Sequence, residues 1–228
     1  MKILLCLSAL SFLIGCGNDG SASAKLAFTN SSSLSRLAPT TFGMKLISVY
    51  LAGDIDSVTQ NNIGGTAMIY LNNDCSNDIS RCDISAGRNE FGNYLYIVTS
   101  YFDFTQGTTA VNTAINAQNR SIQPGTYKYA RMEFCKNNQG NSKNIKYRGG
   151  SMSADATFKH TTCTVNSSPF SKPISIGDGD AITVTLTYDM SNAITTGTAA
   201  TGDDCNGTGS SKVCFTLPAF TPSVSTDE

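Results

Sequence analysis

Polar and apolar residues alternate most regularly between Ala181 and Tyr188, where Ile182, Val184, Leu186 and Tyr188 share one face and Thr183, Thr185 and Thr187 the other. A period of two marks a strand with one face in a core and one face outward. Thr126–Phe134 alternates in the same way, with Ala130, Met132 and Phe134 on one side and Tyr127, Tyr129, Arg131 and Glu133 on the opposite one, directly after the turn pair Pro124-Gly125. Phe42–Leu51 is rich in β-branched and aromatic residues and closes at the turn cluster Ala52-Gly53-Asp54, which predicts one strand. Thr66–Leu71 and the aromatic stretch Tyr94–Phe104, interrupted near Thr99-Ser100, predict further strands. Only Thr108–Gln118 suggests a helix, with Val111 and Ile115 four apart and alanines between. Short strands between Gly- and Asn-rich turns predict an all-β fold, an antiparallel two-sheet sandwich with at most one short helix. Cys135–Gly150 reads as a long loop, and Asn72–Asn89 and Lys136–Arg148 as the longest polar insertions. No internal repeat is present.

The amino terminus follows a different pattern. Lys2 precedes the apolar run Ile3–Ile14, twelve residues long. That length matches the roughly 7–15 residues of a secretory core and falls short of the ~20 that span a bilayer. Leu13-Ile14-Gly15-Cys16 resembles the signal of bacterial lipoproteins, in which a small residue precedes a cysteine. The resemblance implies lipidation of the Cys16 thiol, cleavage before it and acylation of the new amine; an ordinary signal peptide is the plainer alternative. Residues 1–15 are then a signal, and the 213 that follow suffice for one large β domain. Residues 16–41 contain Gly17-Asn18-Asp19-Gly20-Ser21 and Asn30-Ser31-Ser32-Ser33 and read as the lipidated cysteine and a flexible tether. As a coil, residues 17–41 hold a domain about 25–30 Å from the membrane. The sandwich is expected over residues 42–222, with a disordered tail at 223–228.

Loss of Lys2 leaves 15 basic against 17 acidic residues, a net charge near −2. So weak a balance supplies no long-range attraction for nucleic acid. Charged residues make up 14% of the chain against about 25% in an average soluble domain, so the surface is polar rather than charged. Cys6 lies in the signal and Cys16 at the anchor, leaving Cys75, Cys82, Cys135, Cys163, Cys205 and Cys214, an even set in an exported chain. Three disulfides are expected. Fifteen connectivities exist for six cysteines. Nearest neighbours are favoured: Cys75–Cys82 and Cys205–Cys214 each bracket a short polar loop, which leaves Cys135–Cys163. The chain has no C-x-x-C pair and one histidine, so zinc spacing is lacking.

Candidate chemistry is sparse. His160 is the one residue able to act as general base of a Ser-His-Asp hydrolase, but no G-x-S-x-G elbow accompanies it, and a loop beside Cys163 is the simpler reading. The carboxylate pairs Asp54/Asp56, Asp178/Asp180 and Asp203/Asp204 could serve calcium, yet none forms a full loop. Gly177-Asp178-Gly179-Asp180 reads more simply as a turn before the best strand. No cofactor and no metal site is expected. Tyr94, Tyr96, Tyr101, Tyr127 and Tyr129 could form a recognition face or pack across strands. The N-x-S/T triplets at Asn30, Asn119, Asn166 and Asn206 report polar surface.

Three segments together resemble a family of bacterial lipoproteins: Ile122-Gln123-Pro124-Gly125-Thr126-Tyr127 with Arg131 downstream, Leu186–Ile194, and Phe215-Thr216-Leu217-Pro218-Ala219-Phe220. In that family a proline- and glycine-bearing opening leads into an arginine-bearing strand, and an L-x-P segment closes the domain. The resemblance spans roughly residues 42–222 and implies a prealbumin-like or immunoglobulin-like sandwich in the cell envelope, without catalytic residues. The expected function is non-enzymatic: a lipid-anchored domain in the outer membrane, facing the surface or the periplasm, that binds a protein or glycan or acts in adhesion. An envelope accessory that captures a strand at a sheet edge is the alternative, and a hydrolase the remaining one.

Overall fold

The computed structural model describes residues 20–31, 39–46, 48–56, 62–72, 101–134, 145–149, 156–158, 164–191, 193–202, 204–216 and 219–227. Its strands in chain order are β1 (Ala22–Asn30), β2 (Pro39–Met44), β3 (Ser48–Ile55), β4 (Asn62–Leu71), β5 (Phe102–Asp103), β6 (Arg120–Ile122), β7 (Gly125–Phe134) and β8 (Ile145–Gly149). The later strands are β9 (Ala156–Phe158), β10 (Thr164–Ile176), β11 (Ala181–Asp189), β12 (Ile194–Thr196), β13 (Asp204–Asn206), β14 (Val213–Phe215) and β15 (Ala219–Thr226). One α-helix, α1 (Thr108–Ile115), lies among the described residues.

Two four-stranded sheets form the sandwich, ordered β15-β11-β1-β6 and β10-β7-β3-β4. Their margins meet, β10 against β15 and β4 against β6. A third sheet, β5-β2-β8-β9, and a small one, β12-β14-β13, add to the same core. The period-two signal of β11 is realised literally: Ile182, Val184, Leu186 and Tyr188 are buried, while the threonines between them are half-exposed. Phe28, Phe104 and Tyr188 interlock, with edge-on ring pairs at 5.7 Å for Phe28–Phe104 and 4.9 Å for Phe104–Tyr188. Pairs of this kind add about 0.5–1.5 kcal/mol each beyond the area they bury. Tyr188 keeps its hydroxyl satisfied by donating to the Phe104 carbonyl at 3.2 Å.

The expected tether is corrected in part. Residues 22–30 form β1, which lies inside the sheet between β11 and β6. Ala22, Ala24, Leu26 and Phe28 enter the core while Ser23, Lys25, Ala27 and Thr29 point outward. The strand pairs with β11 in parallel, a departure from an all-antiparallel arrangement. Pro39–Thr41, also assigned to the tether, belongs to β2. At the other end, Ser223–Thr226 is the last part of β15, paired with Ile182–Thr185, where a disordered tail was expected. Asp227 continues the attachment, its N–H donating to the Ala181 carbonyl at 2.8 Å.

The single strand expected over Phe42–Leu51 is two. β2 ends at Met44 and pairs with β5 and β8, whereas β3 starts at Ser48 and pairs with β4 and β7. At the break the Leu46 carbonyl accepts a hydrogen bond from Asn72 Nδ2 at 3.0 Å, which replaces the ladder partner lost there. Of the Tyr94–Phe104 stretch, the described part holds only the two-residue β5. The expected loop Lys136–Arg148 gives its last residues, from Ile145 onward, to β8. The helix expected over Thr108–Gln118 forms as α1 and buries Val111 and Ile115. Cys205 and Cys214, directly opposite in β13 and β14, are joined in a disulfide.

Candidate binding groove

β6 stops pairing with β1 at Ala24, opposite Arg120, while β1 runs on to Asn30. Its edge beyond Ala24 is covered instead by α1. The helix starts after Gly107 and ends at Asn116, whose left-handed backbone (φ 48°) turns the chain toward β6. Val111 and Ile115 hold it to the core, and Asn112, beside them, reaches the strand. Asn112 Oδ1 accepts from the Phe28 N–H at 2.7 Å, and Nδ2 donates to the Phe28 carbonyl at 2.9 Å. One carboxamide thus stands where a residue of β6 would stand.

Alternate residues of β1 present their backbone groups to opposite sides. Ser23 and Ser31 donate to the carbonyls of Asp180 and Tyr188 on the β11 side, at 2.7 and 3.1 Å, so Ala24, Leu26 and Phe28 face β6 and α1. Gln118, next to the rung at Leu26 in the β6 direction, is folded back, its Nε2 donating to the Asn116 carbonyl and side chain at 3.1 and 3.0 Å. A groove of about 450 Å³ is left between α1 and the outer face of β1 and β11. Its floor is Lys25, Leu26, Ala27 and Thr183, and its wall includes Thr109, Asn112, Thr113 and Asn116. Threonine hydroxyls, the Asn116 amide and the Lys25 ammonium stand among the apolar Leu26, Ala27 and Ala117, a mixed lining of the kind that holds small ligands.

A second polar feature lies on the other large sheet. Arg131 and Glu133 project from the face of β7 opposite Ala130 and Met132, and both are almost withdrawn from water at 2% and 4% exposure. Arg131 Nη1 pairs with Glu133 Oε1 at 2.7 Å, and Ser48 Oγ, across the ladder on β3, donates to Glu133 Oε2. Tyr50 stands opposite Arg131 and is buried too. The expected alternation of β7 is therefore right in direction, yet both of its faces are covered around these residues. The motif residue Tyr127 is buried and donates its hydroxyl to the Gln123 carbonyl at 2.6 Å, fixing the turn at Pro124-Gly125. Lys45 lies 4.9 Å over the Tyr101 ring; burial lowers the lysine pKa and raises that of the tyrosine.

Asp180 Oδ2 accepts from the Gly177 N–H at 2.7 Å, and Gly179 has φ of +80°, which marks a tight turn between β10 and β11. Asp54 is held below the usual carboxylate range by the Lys128 ammonium at 3.0 Å and the Ile55 N–H. Among the described residues no three His, Cys, Asp or Glu side chains gather as metal ligands. Cys16, Cys75, Cys82, Cys135, Cys163, His160, Asp203, Tyr94 and Tyr96 lie outside the described residues. The groove residues Lys25, Asn112, Thr113 and Thr183 were not singled out by the sequence, because reading residues 16–41 as a tether removed the floor that gives the helix its role.

No family model, curated protein or solved structure matches the chain. No helix among the described residues is long and apolar enough to cross a membrane.

Proposed function

We propose that this chain is a bacterial envelope lipoprotein, cut before Cys16 and anchored through it, whose β-sandwich binds a partner without catalysis. The observation that carries binding is the groove beside α1, because polar side chains and the apolar Leu26, Ala27 and Ala117 together line a space of about 450 Å³, within the ~300–1,000 Å³ of ligand sites. The lipoprotein-like signal at Leu13–Cys16 supports the anchor. An outer-membrane location follows from the same resemblance. Capture of a partner's strand at a sheet edge is the second reading.

The anchor is tested by metabolic labelling with radioactive palmitate in wild type and in Cys16→Ala. Label in the wild type and a soluble, unlabelled variant are expected; continued labelling of the variant contradicts the assignment. Protease treatment of intact cells, with lysed cells as control, then assigns the face of the membrane.

A further inference from the structure

We propose that β1 is a shear clamp that carries tension between the anchor and a bound partner, which makes the domain a load-bearing link at the membrane; this rests on anchoring through Cys16. Three residues lie between Cys16 and Gly20, and β1 is the first strand after them, so a pull on the anchor reaches this strand first. β1 runs parallel to β11 from the pair Ser23 and Ala181 to the pair Asn30 and Tyr188. It enters at the end nearest Cys16, whereas β11 leaves at the opposite end, where the β12-β14-β13 sheet follows. A force that draws the domain away from the membrane therefore slides β1 along β11 instead of lifting it off.

In that direction every hold on the strand is loaded at once. Its start is gripped by the turn between β10 and β11: the Gly179 N–H donates to the Ser21 carbonyl at 3.0 Å and the Ser23 N–H to the Asp180 carbonyl at 2.7 Å. Gly20 packs so closely against the Asp178 side chain that a Cβ there would overlap it. Its far end is tied on one side by the Ser31 N–H, which donates to the Tyr188 carbonyl at 3.1 Å, and on the other by the Asn112 carboxamide at Phe28. Inside, Ala22, Ala24, Leu26 and Phe28 are buried, and the Phe28 ring meets Phe104 and Phe220 edge-on at 5.7 and 6.4 Å. A slip of one residue turns this inward set to the wrong face, and a slip of two drags the Phe28 ring into the space of Leu26. A pull across the strands, by contrast, breaks the holds one after another. β15 offers that direction, because it pairs with the other side of β11 and its Ser225 lies opposite Thr183, which is itself opposite Lys25.

The test is single-molecule pulling of the mature chain without its lipid. One DNA handle is clicked to an azide-bearing residue at Gly17, and the other to one at the exposed Ser210 or at the exposed Ser225. The same fold is pulled in both cases, so a difference in force reports direction and not stability. Forced unfolding follows the height of the unfolding barrier, and the Gly17–Ser210 pair is expected to yield in one step at about twice the force of the Gly17–Ser225 pair, or more. Equal forces, or a weak first step that releases β1 alone from the Gly17–Ser210 pair, overturn the proposal. Neither handle involves the lipid, so a weak clamp leaves the anchor standing. Failure of palmitate labelling at Cys16 removes the membrane load and overturns the proposal even where the clamp is strong.

Discussion

Among the described residues, Arg131 and Glu133 are the charged side chains withdrawn furthest from water. The Glu133 carboxylate meets Arg131 two positions away and the Ser48 hydroxyl on the neighbouring strand. A buried pair gains little over a well-packed apolar substitute, but removing one member costs more than replacing both. Glu133→Gln is therefore expected to lower unfolding free energy by about 3–5 kcal/mol, and Arg131→Met with Glu133→Leu together to recover most of that loss, as read from urea melts. Equal losses in the single and double variants would contradict this. The buried phenols act in a different pH range. Burial raises the pKa of Tyr101, Tyr127, Tyr147 and Tyr188 above the ordinary 10.0, and Asp103 adds to the shift at Tyr188. A raised folded-state pKa means that the fold favours the protonated form. Their contribution is complete below pH 10 and is lost as pH rises through the folded-state values. Stability is expected to fall from about pH 10 upward, and the absence of tryptophan leaves the 295 nm phenolate band clear for following it. A flat stability curve across that range would show that the phenols ionise equally in both states.

At the scale of elements, Asn112 is what ties β1 to α1. Asn112→Ala leaves the Phe28 N–H and carbonyl without partners and is expected to cost about 1–3 kcal/mol. Amide exchange at Phe28 should accelerate while the β11 side of β1 stays protected. Unchanged exchange at Phe28 would mean that the clasp does not hold the strand. Much of the sandwich was legible where large apolar residues alternate with polar ones, as in β11 and the core side of β7. β1 was not, because Ala22 and Ala24 carry the inward positions with little hydrophobic signal and Ser21, Ser23 and Asn30 resemble linker composition. The division of Phe42–Leu51 was hidden for the opposite reason. Apolar residues continue across it, and the break is set by tertiary partners, the distant strands that claim each half and the Asn72 amide at Leu46. Nothing local marks Asn112 either, since its role exists only because a strand edge ends beside it. The pairing of Cys205 with Cys214, by contrast, follows from a short polar loop between two strands, and it is present.

At the scale of the whole molecule, the ordered β1 changes how an anchored domain stands. If Cys16 carries the lipid, only three residues lie between it and Gly20, a reach of at most about 14 Å where a coil through residue 41 would give twice that on average. The end of the sandwich with the start of β1, the turn at Gly177–Asp180 and the turn at Gln123-Pro124 is then held against the bilayer. A single tryptophan at Gln123→Trp is expected to be quenched by spin-labelled headgroups in vesicles, and one at Ser210→Trp, in the β13–β14 hairpin, to be spared. Equal quenching of both would rule out this orientation. Such an anchor leaves the groove along the side of the sandwich, open to partners in the surrounding layer. The most direct test of the account is photo-crosslinking in the producing cells with p-benzoylphenylalanine placed at Thr113 on the groove wall or at Ser210 as control. A discrete adduct from Thr113, absent from Ser210 and absent when Ala117→Trp closes the groove, is the expected result. No adduct from Thr113 where Ser210 gives one, or an adduct indifferent to Ala117→Trp, would contradict a binding function centred on this groove.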